Sequence, residues 1–350
     1  QAEDGIRDRS PSRGLGDVYK RQNQYFRTKI TDLFKIKHPI LCGGLMWLGN
    51  AEYAAAAVNA GGMGFLTAKT FPDPIEFKDE LLKAWDLTSG QPFGVNLYQS
   101  MRPEENEVLN GHLKIALDTG IRHFETAGLP PTDFLPHLKE ANAIVLHKVS
   151  TVRHAISAAR KLDIDAVTIV GAECGGHPGL ELVSSLVQAV VGPEQIEIPV
   201  VIGGGIGHGR QIAAVLGMGA EAVLVGTRVL VAEEVWSHPE VKEQVVNAGA
   251  ADSTLVMASF RNTSRVMINE YAQKVQHLEN AGVVDFDQYW EFVKGSNAYD
   301  AYKTGDWNKA LLSMGQAAAF ANSIVPMEEI YDKLVDEATE AIERVSALTQ

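Results

Sequence analysis

PVVIGGGIGHGRQIAAVLGMGAEAVLVGTR, residues 199–228, shows most clearly the unit from which the chain is built. It opens on a β-branched run, PVVIGGG (199–205), of the length of a buried strand. A glycine loop leads into GRQIAAVLGMG (209–219), where apolar residues recur at helical spacing, and AVLVGTR (222–228) is a second β-branched run. Strand, helix and strand in so short a span make a parallel βα unit, because antiparallel strands need only a tight turn between them.

The same rhythm extends towards the N-terminus. Six further strands are predicted at PILCGG (39–44), GMGFLTA (62–68), FGVNLYQ (93–99), RHFETAG (122–128), IVLHKV (144–149) and AVTIVGA (166–172). Helical stretches separate them, among them AEYAAAAVNA (51–60), ENEVLNGHLKIALDT (105–119) and TVRHAISAARKL (151–162). Eight βα units in succession predict an α/β fold, a (β/α)8 TIM barrel. A doubly wound open sheet is the alternative, but it seldom sustains eight units without an antiparallel edge. The barrel is assigned to residues 23–235 and 311–350. Between them, 236–310 shows helical stretches such as SRVMINEYAQKVQHLEN (264–280) with no strand, and is predicted to be an inserted, mostly helical substrate domain. Residues 1–22 lack the apolar run of a signal peptide. They resemble translated adaptor sequence and are expected to be disordered or loosely packed.

The 350 residues carry 44 acidic and 31 basic side chains, a formal charge of −13, which argues against nucleic acid or an anionic membrane as partner. Two cysteines, Cys42 and Cys174, form no disulfide framework, and a reduced cytoplasmic setting is expected. No apolar run has the length of a membrane span. No metal site is predicted. Monomer and homodimer both remain open.

A barrel of this kind binds ligands at the C-terminal ends of its strands. There the sequence places Gly43–Trp47, Asn96, Glu125, His147–Lys148, the loop ECGGHPG (173–179), GGGIGHG (203–209) and GTR (226–228). Glycines crowd the loops after the seventh and eighth strands, where backbone N–H groups can cradle a phosphate. Glu173 is read as fixing loop backbone, His208 as a phosphate-loop or helix-start residue, and Arg261 or Arg265 as candidates to face the pocket.

Taken together, HPILCGGLMW, AVNAGGMGFLTA, FGVNL, HKV, GAECGGHPG, the 199–228 stretch and a late MGQ resemble the nitronate monooxygenase family, over about residues 35–345. The resemblance implies FMN as cofactor. It implies that Gly203, Gly204, Gly205, Gly226 and Thr227 hold the FMN phosphate, and that Asn96 and Lys148 hydrogen-bond the flavin ring. Gly43, Gly44, Leu45 and Met46 would lie against the ring, beside Gly175 and Gly176, with Gln316 returning to the cofactor edge. His177 would be the catalytic base. The implied reaction is oxidative denitrification of an alkyl nitronate or nitroalkane with O2 to a carbonyl compound and nitrite. The alternative is NAD(P)H-dependent reduction of an enoyl, activated C=C substrate, since flavin-dependent enoyl reductases share the fold and a similar GGH loop. A flavin-binding protein without turnover is a third reading, which the intact GGH loop opposes. One departure stands out: Cys174 occupies a position where the family often has alanine.

Overall fold

The computed structural model of the chain describes residues 26–100 and 103–348; the expectation for residues 1–22 lies outside the described residues. A short helix α1 (Lys29–Phe34) precedes the alternating units: β1 (Ile40–Cys42), α2 (Ala51–Asn59), β2 (Met63–Thr67), α3 (Pro74–Leu87), β3 (Gly94–Gln99), α4 (Pro103–Asp118), β4 (His123–Gly128) and α5 (Leu135–Glu140). They continue through β5 (Ile144–Val149), α6 (Val152–Lys161), β6 (Ala166–Val170), α7 (Ser185–Gln195), β7 (Val200–Gly203), α8 (Gly209–Gly217) and β8 (Ala222–Val225). All eight strands are parallel, and β1 pairs with both β2 (Leu41↔Met63) and β8 (Leu41↔Leu224). The pairing of the first strand with the last closes the barrel and leaves each of the eight strands with two neighbours, which rules out the open sheet, whose two edge strands have one neighbour each.

Strand periodicity divides the side chains between two cores. Leu41, Met63, Phe65, Leu146, Ala166, Val201, Ala222 and Leu224 fill the barrel interior, and Ile30 and Phe34 of α1 belong to the same cluster. Phe34 packs on Phe65 with ring centroids 6.3 Å apart, which plugs the N-terminal end. The intervening residues, such as Ile40, Val95, Phe124, Val145 and Val167, face the helix layer. Helix starts follow ordinary capping chemistry: Asn50 accepts from Tyr53 N, Asp73 accepts from Ile75 N with Pro74 in the first turn, and Thr151 accepts from His154 N. The remaining helices are α9 (Pro239–Asn247), α10 (Glu270–Asn280), α11 (Asp287–Val293), α12 (Ser296–Thr304) and the long closing helix α13 (Met327–Ala347).

The segment 236–310 departs from the sequence prediction. It contains an antiparallel hairpin, β9 (Ser253–Val256) with β10 (Ser264–Met267), where helices alone were expected. The helix predicted over 264–280 begins at Glu270 because Asn269 caps it. The Asn269 side chain accepts from Ala272 N at 2.9 Å and donates to Trp307 O and Ala310 O. This segment has a small core of its own, with Val256, Val266, Ala272, Val275 and Tyr289 buried together. Among the described residues no helix is long and apolar enough to cross a membrane.

Candidate active site

The inward face of β4 and β5 changes character towards the C-terminal end of the barrel. Leu146 packs in the interior, and two residues on, Lys148 emerges at the top; Glu125 lies on β4, directly opposite Asn96 of β3 in register. Glu125 is fully buried. A buried carboxylate is costly unless its oxygens are satisfied, and these are. Oε1 accepts from Lys148 Nζ at 3.0 Å, while Oε2 accepts from Gly44 N at 2.9 Å and from the Asn96 amide. One carboxylate thus ties the loop after β1 to β3 and β5. Gly44 is required there, since a Cβ would lie 2.3 Å from Asn96 Cγ. Tyr53 of α2 supports the same loop by donating to Gly43 O at 2.7 Å.

The glycine loop after β6 is held on both sides. Gly176 and Arg265 of β10 exchange backbone hydrogen bonds of 3.0 and 2.6 Å. Arg265 also donates from Nε to Ala172 O at 3.0 Å. Arg265 therefore braces the loop, and Arg261, at the turn of the hairpin, is the arginine that lines the cavity. Glu173 fixes the loop base: its carboxylate accepts from Ser185 N and from Ser185 Oγ at 2.8 Å, and its carbonyl accepts from Gln316 N. His177 lines the cavity and its side chain is exposed to it, although protein groups crowd round the ring. Burial lowers its pKa below the ordinary 6.5, and its hydrogen bond with Asn262 works in the opposite direction. Cys174 lines the same space, but burial pushes its thiol up to about 12 against the pull of Lys148 and Arg265, so it is no ready nucleophile. Cys42 sits elsewhere, buried 3.2 Å from the Tyr331 hydroxyl, and both cysteines are free.

After β7, Gly204 and Gly205 adopt φ of +96° and +72°, the left-handed region that glycine tolerates. A Cβ on Gly204 would come within 2.8 Å of Ser185 Oγ, whereas one on Gly226, after β8, would meet nothing closer than 3.9 Å. The two loops thus bring backbone to one open place beside Thr227, whose Oγ1 accepts from Gly315 N at 2.9 Å. His208 is the N-cap of α8; its Nδ1 lies 3.0 Å from Glu337 Oε2, which also accepts from Gly209 N. The α8 terminus is satisfied by α13, which leaves His208 a helix-start residue. Arg228 is buried outside the cavity lining.

Together these strand ends and the 236–310 segment enclose a cavity of about 1470 Å³. It brings together His177, Gly43, Gly44, Leu45, Met46, Asn96, Lys148, Gly175, Gly176, Gly204, Gly205, Gly226 and Thr227. Gly203 and Gln316 stand behind its wall: Gly203 ends β7 with its carbonyl accepting from Gly171 N, and Gln316 is fastened through its backbone. Sequence reading placed Glu125 at a strand end without giving it a role and overlooked Asn262. The usable signal for Glu125 was a lone carboxylate inside a strand, HFETAG, that is otherwise buried. Of the aromatic residues of 236–310, Trp290 lines the cavity, Tyr289 belongs to the segment's own core, and Tyr299 packs on Trp47 at 5.3 Å.

A flavin fits what these residues offer. The glycine loops leave a backbone cradle for a phosphate, Asn96 and Lys148 present donors above the barrel, and Thr67 Oγ1, buried in the cavity wall, has no partner among the described residues. The chain belongs to the nitronate monooxygenase family, whose model matches residues 27–337. The closed parallel barrel and the family match together make this a flavin-type oxidoreductase. It is 26% identical over 357 aligned positions to (3aS,4S,5R,7aS)-5-hydroxy-7a-methyl-1-oxo-octahydro-1H-indene-4-carboxyl-CoA dehydrogenase of Rhodococcus jostii (strain RHA1), covering 92% of this chain and 98% of that one. A probable nitronate monooxygenase of Staphylococcus haemolyticus (strain JCSC1435) is 27% identical over 355 positions, covering 89% and 97%. Among solved structures, FabK from Thermotoga maritima superposes with a TM-score of 0.84 at 29% identity, covering 92% of this chain and 99% of that one.

Proposed function

We propose that the chain is an FMN-dependent oxidoreductase that converts alkyl nitronates, or the nitroalkanes that give rise to them, to carbonyl compounds and nitrite with O2. The observation that carries this reading is His177, a histidine exposed to the same cavity that holds the Asn96 and Lys148 ends of the Glu125 cluster. FMN, when bound, supplies the electron acceptor and the centre that reacts with O2. Gly204, Gly205, Gly226 and Thr227 hold its phosphate, and Asn96 and Lys148 bind its ring. His177 Nε2 or Nδ1 takes the α-proton of a nitroalkane; a base must be unprotonated to do so, and a lowered pKa keeps imidazole in that form at neutral pH. A substrate that arrives as the nitronate needs no base, and His177 then orients the anion. The 236–310 segment serves as the substrate domain, with Trp290 and Phe286 in the cavity wall.

The size of the cavity favours a second reading, reduction of an activated C=C bond by NAD(P)H. A single ligand usually fills about 300–1,000 Å³, so about 1470 Å³ holds a flavin and leaves room for a substrate larger than a small nitronate. A carboxyl-CoA dehydrogenase among the relatives is in keeping with such a substrate.

Anaerobic mixing of the FMN-loaded protein with an alkyl nitronate, and separately with NADPH, separates the two. Bleaching of flavin absorbance by nitronate alone, with nitrite released once air is admitted, supports the first reading. Bleaching by NADPH with no response to nitronate moves the protein to the second. Failure to bind FMN overturns both.

A further inference from the structure

The carboxylate of Glu125 lies beneath the cavity floor without being part of it. Asn96 and Glu125 are partners in register on β3 and β4, and Lys148 stands near the end of β5, so three adjacent strands assemble the cluster. Asn96, Lys148, Gly43 and Gly44 line the cavity, and Glu125 does not. The loop that covers the carboxylate approaches it as bare backbone. A Cβ on Gly43 would lie 3.0 Å from Glu125 Oε1, and Gly44 N donates to Oε2 at 2.9 Å. The Glu125 side chain is fully buried, while that of Lys148 stays 20% exposed. Packing does not call for such a pair, since a buried ion pair adds little over apolar residues of similar volume.

Charge at this place acts on a flavin. Two electrons and one proton added to an oxidised ring at neutral pH leave it one unit more negative. A cation against the ring therefore stabilises its reduced form, and an anion opposes it. Away from bulk water both effects are enlarged. Lys148 alone would raise the reduction potential, whereas Lys148 paired with Glu125 at 3.0 Å offers the ring no net charge.

We infer that Glu125 is a positioning residue that sets the reduction potential of the bound flavin, by neutralising Lys148 and holding its ammonium and the Asn96 amide in place. A ring kept at lower potential gives up its electrons more readily. The carboxylate thus favours delivery of electrons to the acceptor, whether that is O2 or an activated C=C bond. The inference rests on the cavity being a flavin site and holds under either reaction.

The test is slow anaerobic reduction of the FMN-loaded protein by dithionite beside a reference dye, with the ratio of oxidised to reduced FMN read from absorbance at a fixed dye ratio. Glu125→Gln should shift that ratio at least tenfold towards reduced FMN, about 30 mV for a two-electron couple. Glu125→Asp keeps the charge and gives up only reach, so it should stay within threefold of the parent. Lys148→Met leaves the carboxylate unopposed and should shift the ratio at least tenfold the other way, and adding Glu125→Gln to it should bring the ratio back towards the parent. The inference is overturned by an unchanged ratio in Glu125→Gln, or by equal shifts in the Gln and Asp variants. If Glu125→Gln does not retain FMN, the Lys148 pair decides: a double variant no closer to the parent than Lys148→Met overturns the inference. A parent chain that binds no FMN overturns the flavin reading itself. Nitronate bleaching of the same samples is scored separately, so failure of the nitronate reading is distinguishable from failure of this one.

Discussion

Glu125 and Lys148 are an ion pair of unequal partners. The carboxylate is fully buried, while the ammonium lies at the cavity wall with its side chain 20% exposed. Removing the lysine strands a charge with no water to receive it; removing the carboxylate leaves a cation that can turn to the cavity. Lys148→Met should therefore cost about 3–5 kcal/mol in urea unfolding. Glu125→Gln should cost about 1–3 kcal/mol, and the double variant should recover part of the loss. Equal stability of Lys148→Met and the parent chain would refute the pairing. His177 invites a different measurement. Because its surroundings lower its pKa, the acid limb of kcat/KM on a neutral nitroalkane should have its midpoint below the 6.5 of a free imidazole. His177→Asn should lower that value by about 10²–10⁴-fold, with a much smaller effect on a preformed nitronate; equal losses on both would take the base role from His177. His177 was legible in the sequence because glycines on both sides mark a loop of close approach. Glu125 was not assigned, because its role comes from partners on β1, β3 and β5 that only barrel closure brings together.

Glycines also set how the elements pack. Gly209 opens α8 against α13: a Cβ there would stand 2.3 Å from both Leu334 O and Ala338 N, backbone atoms that cannot swing aside. Gly111 lies inside α4 with nothing within 4 Å. The same substitution should thus act in opposite directions. Gly209→Ala pushes α13 off its seat and should destabilise by about 1–3 kcal/mol, while Gly111→Ala should stabilise by about 0.4–1 kcal/mol. Thermal unfolding of the two variants beside the parent checks the pair, and a fall in Tm for both would contradict the packing described. The strands of the barrel were legible because both their faces are buried, which writes them as β-branched runs. The hairpin was not: β9 and β10 are four residues each and partly exposed, and β10 joins α10 through Ile268 and Asn269 alone. Without the Asn269 cap being recognised, SRVMINEYAQKVQHLEN reads as a single helix.

The barrel as a whole encloses three histidines in their neutral form, and this sets how the fold responds to acid. His38 and His123 lie towards its N-terminal end, each with an Nδ1 that has no partner among the described residues, and His147 shares a hydrogen bond of 2.9 Å with Thr126 Oγ1. Burial, chiefly, lowers all three from 6.5 to about 4, assisted by the charges of Lys37, Lys35 and Lys148 respectively. Below pH 6.5 the unfolded chain binds protons at these positions and the folded chain does not. The unfolded state therefore gains stability as pH falls, and the difference stops growing near pH 4, where the folded histidines protonate as well. The stabilising contribution is complete above pH 6.5 and is lost across the window from 6.5 to 4. At about 1.36 kcal/mol per pKa unit, the three sites together remove several kcal/mol over that window. Carboxylates titrate at the acid end of this window, so urea midpoints at pH 7.0, 6.2 and 5.5 isolate the effect. The midpoint should fall steadily through that series, and His123→Phe, which fills the space beside Phe34 without a titratable group, should flatten the fall by about a third of its total if the three sites contribute equally. A midpoint at pH 5.5 equal to that at pH 7.0 would mean that the interior admits protonated imidazole without loss, contrary to the burial that the closed barrel imposes on these residues.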